Sequence, residues 1–160
     1  MNPCAPVGVG DVKPSSTGQR IVAYLRGRVP SFPAGGINFV SVEDVAVGHL
    51  LAARKGRVGE RYILGNAEGN LSLIGFYALM ERVSGQAPPG SEGLAPLRRL
   101  RGAIRRWRQR RASPASGTGF QPEALTADPR RAIYELGLPQ TPLTVAFREA
   151  VEWFRAHGYG

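Results

Sequence analysis

Phe39-Val40-Ser41-Val42-Glu43-Asp44-Val45-Ala46-Val47-Gly48-His49-Leu50, followed after a short gap by Gly59-Glu60-Arg61-Tyr62-Ile63-Leu64-Gly65, decides the fold class. Ile37–Val42 alternates apolar and polar residues with β-branched content, which predicts a strand. Glu43 and Asp44 then stand where acids favour a helix start. Val45, Ala46, His49, Leu50 and Ala53 recur at helical spacing, and Gly56 ends the run. Arg61–Leu64 predicts a second strand. Strand, helix and strand in this order indicate an α/β class.

Working outward, residues 1–20 are rich in Gly, Pro, Ser and Thr and read as a loop. A short helix is expected around Gln19–Arg26, stopped by Gly27 and Pro30. Asn70 or Ser72 can cap a helix running to about Ser84, with Leu73, Ile74, Phe76, Tyr77 and Met80 on its apolar face and Gly85 as its stop. The last helix is the clearest. Thr141 is its expected N-cap, Pro142 its first residue, and Leu143, Ala146, Phe147, Ala150, Val151 and Phe154 its stripe. Two or three strands are few for a stable sheet, so a partial sheet is expected.

The chain has 160 residues, enough for one domain with a core, and a hydrophobic fraction of 42%, ordinary for a globular protein. There is no run of about 18 apolar residues that could span a membrane. The N-terminus has no signal-peptide pattern and Cys4 is the single cysteine, so a reduced, cytoplasmic setting is expected. The net charge is +9, but residues 94–111 hold eight Arg and no acid, and without those eight the remainder carries +1. Basicity is therefore local.

Three stretches carry a resemblance: Asn2-Pro3-Cys4-Ala5-Pro6 through Lys13-Pro14, the Phe39–Leu50 and Gly59–Gly65 pair, and Glu135-Leu136-Gly137 with the helix ending Val151-Glu152-Trp153-Phe154. Together they resemble the extended short-chain dehydrogenase/reductases (NAD-dependent epimerase/dehydratases). The branch they most resemble is the hopanoid-associated sugar epimerases, which are similar to dihydroflavonol reductases. The resemblance implies the C-terminal, substrate-binding portion of an extended Rossmann-type enzyme, with the N-terminal nucleotide-binding core missing. In that family the cofactor is NAD or NADP and the substrate a sugar or ketone. Asn2 and Pro3 inherit a place near the nicotinamide. Lys13, Ser15, Ser16 and Thr17 inherit the substrate-facing loop, where hydroxyls suit a polyol. The family's Gly-rich pyrophosphate turn is not present, because Gly8-Val9-Gly10 joins no strand to a helix. Its Tyr-x-x-x-Lys acid/base pair is also absent: Val9 and Leu51 stand four residues before Lys13 and Lys55. No catalytic residue is assigned, and no cofactor is expected to bind this chain alone. A further reading is complementation, in which a separately encoded Rossmann half restores an enzyme.

Three segments follow. Residues 1–87 hold the end of the nucleotide-binding sheet and substrate-side elements, 88–128 form a basic Arg/Pro/Gly-rich segment, and 129–160 form a C-terminal helical segment. Leu94, Leu97, Leu100, Ile104 and Trp107 sit at helical spacing among the arginines. That pattern suits an anionic membrane surface or a nucleic acid without sequence preference, giving an alternative reading as a small basic binding module. The preferred reading is translation out of frame: regrouping the codons of Arg105–Gly119 allows an Ala-, Leu- and Glu-rich helix like the family's. His49 and His157 read as packing or helix-end residues. Asp44 reads as an N-cap or as a residue shaping the active site. Cys4 has no activating neighbour, and no cluster has metal-ligand spacing.

Overall fold

The computed structural model describes residues 1–90 and 123–159. The elements are β1 (Asn2–Pro3), β2 (Ala5–Val7), α1 (Ser16–Leu25), β3 (Ile37–Ser41), α2 (Val42–Lys55), β4 (Ile63–Leu64), β5 (Asn70–Leu71), α3 (Leu73–Ser84), the π-helical turn α4 (Ala132–Leu136) and α5 (Leu143–Ala156). Strands and helices alternate along the described residues, so the class is α/β, as expected.

Residues 2–7 are one extended run that changes partner at Cys4. β1 pairs in parallel with β4, and β2 in parallel with β3. β5 joins the other side of β3 antiparallel, and Leu125 makes a parallel bridge to Ile37. The sequence reading took residues 1–20 as a loop, and Pro3 and Pro6 are why. Pro is poor in strands because it lacks a donor. In β1 the donors are Asn2 N, to Tyr62 O, and Cys4 N, to Leu64 O, each at 2.9 Å, so the pairing needs no N–H from Pro3.

The helix starts are set by serines. Ser15 Oγ accepts from Gly18 N and starts α1 ahead of the expected Gln19, while Ser41 Oγ accepts from Glu43 N and starts α2. Ser72, not Asn70, caps α3, and Gly85 ends it in the left-handed conformation at φ 71°. Thr141 does not cap α5. The helix begins at Leu143 after Pro142, without a side-chain cap.

Two apolar clusters hold the described residues together. The larger lies between β2–β3 and helices α1, α3 and α5, around Tyr24, Phe39, Phe76, Phe147 and Phe154. Phe76 stacks on Phe39 with ring centres 5.9 Å apart and meets Phe147 edge-on at 6.0 Å. The smaller cluster joins Val40 and Val45 to Tyr62, Leu64, Ala132, Leu136 and Leu138. Here α2 approaches so closely that a β-carbon on Gly48 would sit 2.8 Å from Leu138 Cδ1.

The α2 face differs from the expected stripe. Asp44, Val45 and Gly48 are buried, whereas Ala46, His49 and Ala53 are exposed and Leu50 is 61% exposed. On α3, Ile74 faces out at 60% exposure and Leu79 takes its place inside.

Candidate functional site

An open cleft of about 510 Å³ lies where the β1–β2 run, the start of α1 and residues 124–127 meet. Asn2 and Pro3 form part of one wall and Ser15, Ser16 and Thr17 part of the other. The structure thus brings together five of the six residues singled out in the sequence. Lys13 is not among them: it lines a separate depression with Pro14, Gln19, Arg26, Arg28 and Tyr159.

The loop before α1 is held locally. Both oxygens of Asp11 accept from Ser15 N, at 2.9 and 3.0 Å, and the Ser15 hydroxyl donates to Asp11 Oδ2 at 2.9 Å. Ser15 is therefore committed to its cap and to Asp11. Thr17 is buried. The Ser16 side chain makes no hydrogen bond among the described residues, and its carbonyl accepts from Arg20 Nη1 at 2.7 Å.

Two polar lining residues, Arg20 and Thr126, are not among those singled out in the sequence. Arg20 follows Ser16 by one helical turn, so its position was available once α1 was known to begin at Ser16. Thr126 belongs to the segment assigned out of frame, yet Glu123–Ala127 is fastened to the fold. Gly35 N donates to Glu123 O at 2.7 Å, Leu125 exchanges hydrogen bonds with Gly36 and Asn38, and Ala127 N donates to Asn70 Oδ1 at 3.1 Å. The arginines at 98–111 and the proposed binding helix at 94–111 lie outside the described residues.

Cys4 lines the cleft half-buried, and burial pushes its thiol above the usual range, the opposite of nucleophile activation. Asp44 is neither cap nor cleft residue. Only 3% exposed, it accepts from Thr141 N at 2.7 Å and Thr141 Oγ1 at 2.8 Å, while Asn66 Nδ2 donates to Thr141 O at 3.1 Å. This clamp fixes the approach to α5. His49 Nδ1 lies 2.8 Å from Val45 O, and the His157 ring stacks on Trp153 at 4.1 Å.

The described residues do not fit a whole dinucleotide. Gly8-Val9-Gly10 follows β2 but opens no helix; Gly8 instead packs against Val42 of α2. Among the described residues there is no pyrophosphate cradle of the strand–turn–helix kind. Asn2 and Pro3 line the cleft without a dinucleotide cradle beside them among the described residues.

The fold and the cleft define the class: the C-terminal portion of a Rossmann-type α/β enzyme. Two curated relatives match nearly the whole chain. One is a dihydroflavonol 4-reductase-like protein of Synechocystis sp., 34% identical, with 99% of this chain and 48% of that protein covered. The other is sterol demethylase protein B of Methylococcus capsulatus, 32% identical, covering 99% and 50%. Among solved structures, gox2253 superposes with a TM-score of 0.71 at 32% identity, over 99% of this chain and 49% of that one. PA4631, a nucleoside-diphosphate-sugar epimerase from Pseudomonas aeruginosa, gives 0.68 at 28% identity, over 98% and 47%. No protein-family model matches. By these likenesses the chain is similar to one half of dihydroflavonol 4-reductase-like and sugar-epimerase-like enzymes. It spans about half the length of the curated relatives it matches. Among the described residues no helix is long and apolar enough to cross a membrane.

Proposed function

We propose that this chain is the substrate-side half of an NAD(P)-dependent epimerase or reductase acting on a sugar or ketone, and that it is inactive alone. The observation that carries this reading is the shared cleft, with Asn2 and Pro3 on one wall and Ser15, Ser16 and Thr17 on the other. In this reading Asn2 and Pro3 border the nicotinamide and the Ser16 region meets the substrate. Lys13, exposed and outside the cleft, has at most an indirect part. A complementing Rossmann half supplies the pyrophosphate turn and the Tyr/Lys pair. The β1–β4 edge is where it would join, because each of these strands has one partner among the described residues.

Calorimetry tests this. The chain alone should show no saturable micromolar binding of NAD(H) or NADP(H). Fused behind the N-terminal half of the Synechocystis relative, it should bind one of them. Micromolar binding or turnover by the chain alone would refute the reading.

A further inference from the structure

The outer face of α2 carries a pattern that is complementary to itself. Glu43, Val47, Leu50 and Arg54 follow one another at intervals of four, three and four residues, the spacing of a helix–helix seam. At 3.6 residues per turn they fall within a sector of about 60°. All four are exposed, Val47 by 41% and Leu50 by 61%. The buried residues of the helix, Asp44, Val45 and Gly48, lie on its other side. The stripe therefore has an acid at one end, a cation at the other and two apolar side chains between. The remaining charged groups of α2 are engaged elsewhere: Asp44 accepts from Thr141, and Lys55 Nζ donates to Leu136 O at 3.2 Å. The Glu43 and Arg54 side chains make no hydrogen bond or ion pair among the described residues. Ala46 and Ala53, both small and exposed, flank the stripe.

We infer that this face docks on the same face of a second copy of the chain, with the two α2 helices antiparallel about a two-fold axis. A two-fold interface uses one patch twice, so the patch must match its own reverse. This stripe does. Turned end for end, it sets Glu43 opposite the partner's Arg54 and Val47 opposite the partner's Leu50, because both pairs are centred on the same point of the helix. A parallel pair would instead set Glu43 against Glu43 and Arg54 against Arg54, which like-charge repulsion disfavours. Ala46 and Ala53 let the helix axes approach to about 8 Å, the close end of the usual range. One helix face from each chain is a small interface, so the association is weak and reversible. None of the four residues lines the cleft of the proposed function, so the pairing stands independently of that reading.

Sedimentation of the full chain over a concentration series is the test. The wild-type chain should form a dimer whose fraction rises with concentration. E43R sets Arg against the partner's Arg54, and R54E sets Glu against the partner's Glu43, so each should weaken the dimer tenfold or more. An equimolar mixture of the two variants should recover it as a heterodimer, since one stripe then carries two cations and the other two acids. The double variant E43R/R54E, which restores the pairing within one sequence, should dimerise again. Both positions are exposed, so every variant should keep the wild-type unfolding midpoint. A mixture that stays as monomeric as its components would overturn the antiparallel pairing, as would single variants that dimerise like the wild type. A wild-type chain still monomeric at about 1 mM would overturn it too, and would leave the α2 face to a different protein such as the complementing half. Cofactor calorimetry decides the substrate-side reading separately, so the two can fail independently.

Discussion

The cluster around Phe76 and the edge formed by β1, β4 and α2 are finished to different degrees. In the first, β3 is buried along its whole length and has partners on both sides, and α1, α3 and α5 cover its aromatic core. Asn38, the buried polar residue at its centre, is satisfied by Asn66 and Asn70. In the second, β1 and β4 are two-residue strands paired only with each other among the described residues. The outer face of α2 leaves Val42, Val47 and Leu50 exposed. The difference teaches where, under the proposed function, a complementing half would attach: the region around β3 closes on itself, and the β1–β4–α2 side stays open among the described residues.

The largest expected effect sharpens this contrast. Phe76→Ala removes a fully buried ring in contact with Tyr24, Phe32, Phe39 and Phe147. It should cost about 3–5 kcal/mol in urea unfolding. Leu50→Ala, on the open face, should change stability by no more than about 0.5 kcal/mol. Comparable losses from both would erase the distinction.

Next in size is the clamp between the two regions. Asp44→Ala leaves Thr141 N and Oγ1 without their acceptor. A loss of about 1.5–3 kcal/mol is expected in the same measurement. No loss would mean that Thr141 finds water or another partner at no cost.

Much of the closed region was legible in the sequence, and much of the open one was not. The α5 stripe read correctly because one face is apolar and the other charged. α2 misread because Val42, Val47 and Leu50 lie on one side and Val45, Leu51 and Ala52 on the other. A helix apolar on both sides offers periodicity no face to choose. Such a helix is expected where partners cover both sides, so the ambiguity carries information. β1 and β2 were hidden by Pro3 and Pro6. In the cleft, Ser15, Ser16 and Thr17 were visible as a polar run, whereas Arg20 became visible only when the helix start moved to Ser16. Asp44 could not be paired with Thr141 from sequence, since 97 residues separate them.

A smaller effect concerns association. Leu50→Glu with Val47→Gln on the open face should reduce self-association in sedimentation at high protein concentration, without lowering the unfolding midpoint. Unchanged association would show that this face is not adhesive.

The smallest expected effect is electrostatic. Glu135 is held below the usual carboxylate range, first by the Tyr62 hydroxyl at 2.9 Å and then by Arg131. Arg130 holds Asp128 at about 2. Because folding lowers these pKa values, their contribution is present above the ordinary carboxylate range. It is lost as pH falls through the folded values, below about 4.5 for Glu135 and toward about 2 for Asp128. Both sites are exposed, so the loss should be slight and smaller still in 1 M salt. A melting temperature that rises through this acid window would contradict the assignment.

Hydrogen exchange across the intact chain tests the central claim most directly. Amides of β3, α3 and α5 should exchange slowest, near the limit set by global unfolding. Those of β1, β4 and α2 should exchange at least about tenfold faster through local opening. Uniform protection across both regions would contradict the account, because it would show that the β1–β4–α2 side is as complete as the core beside it.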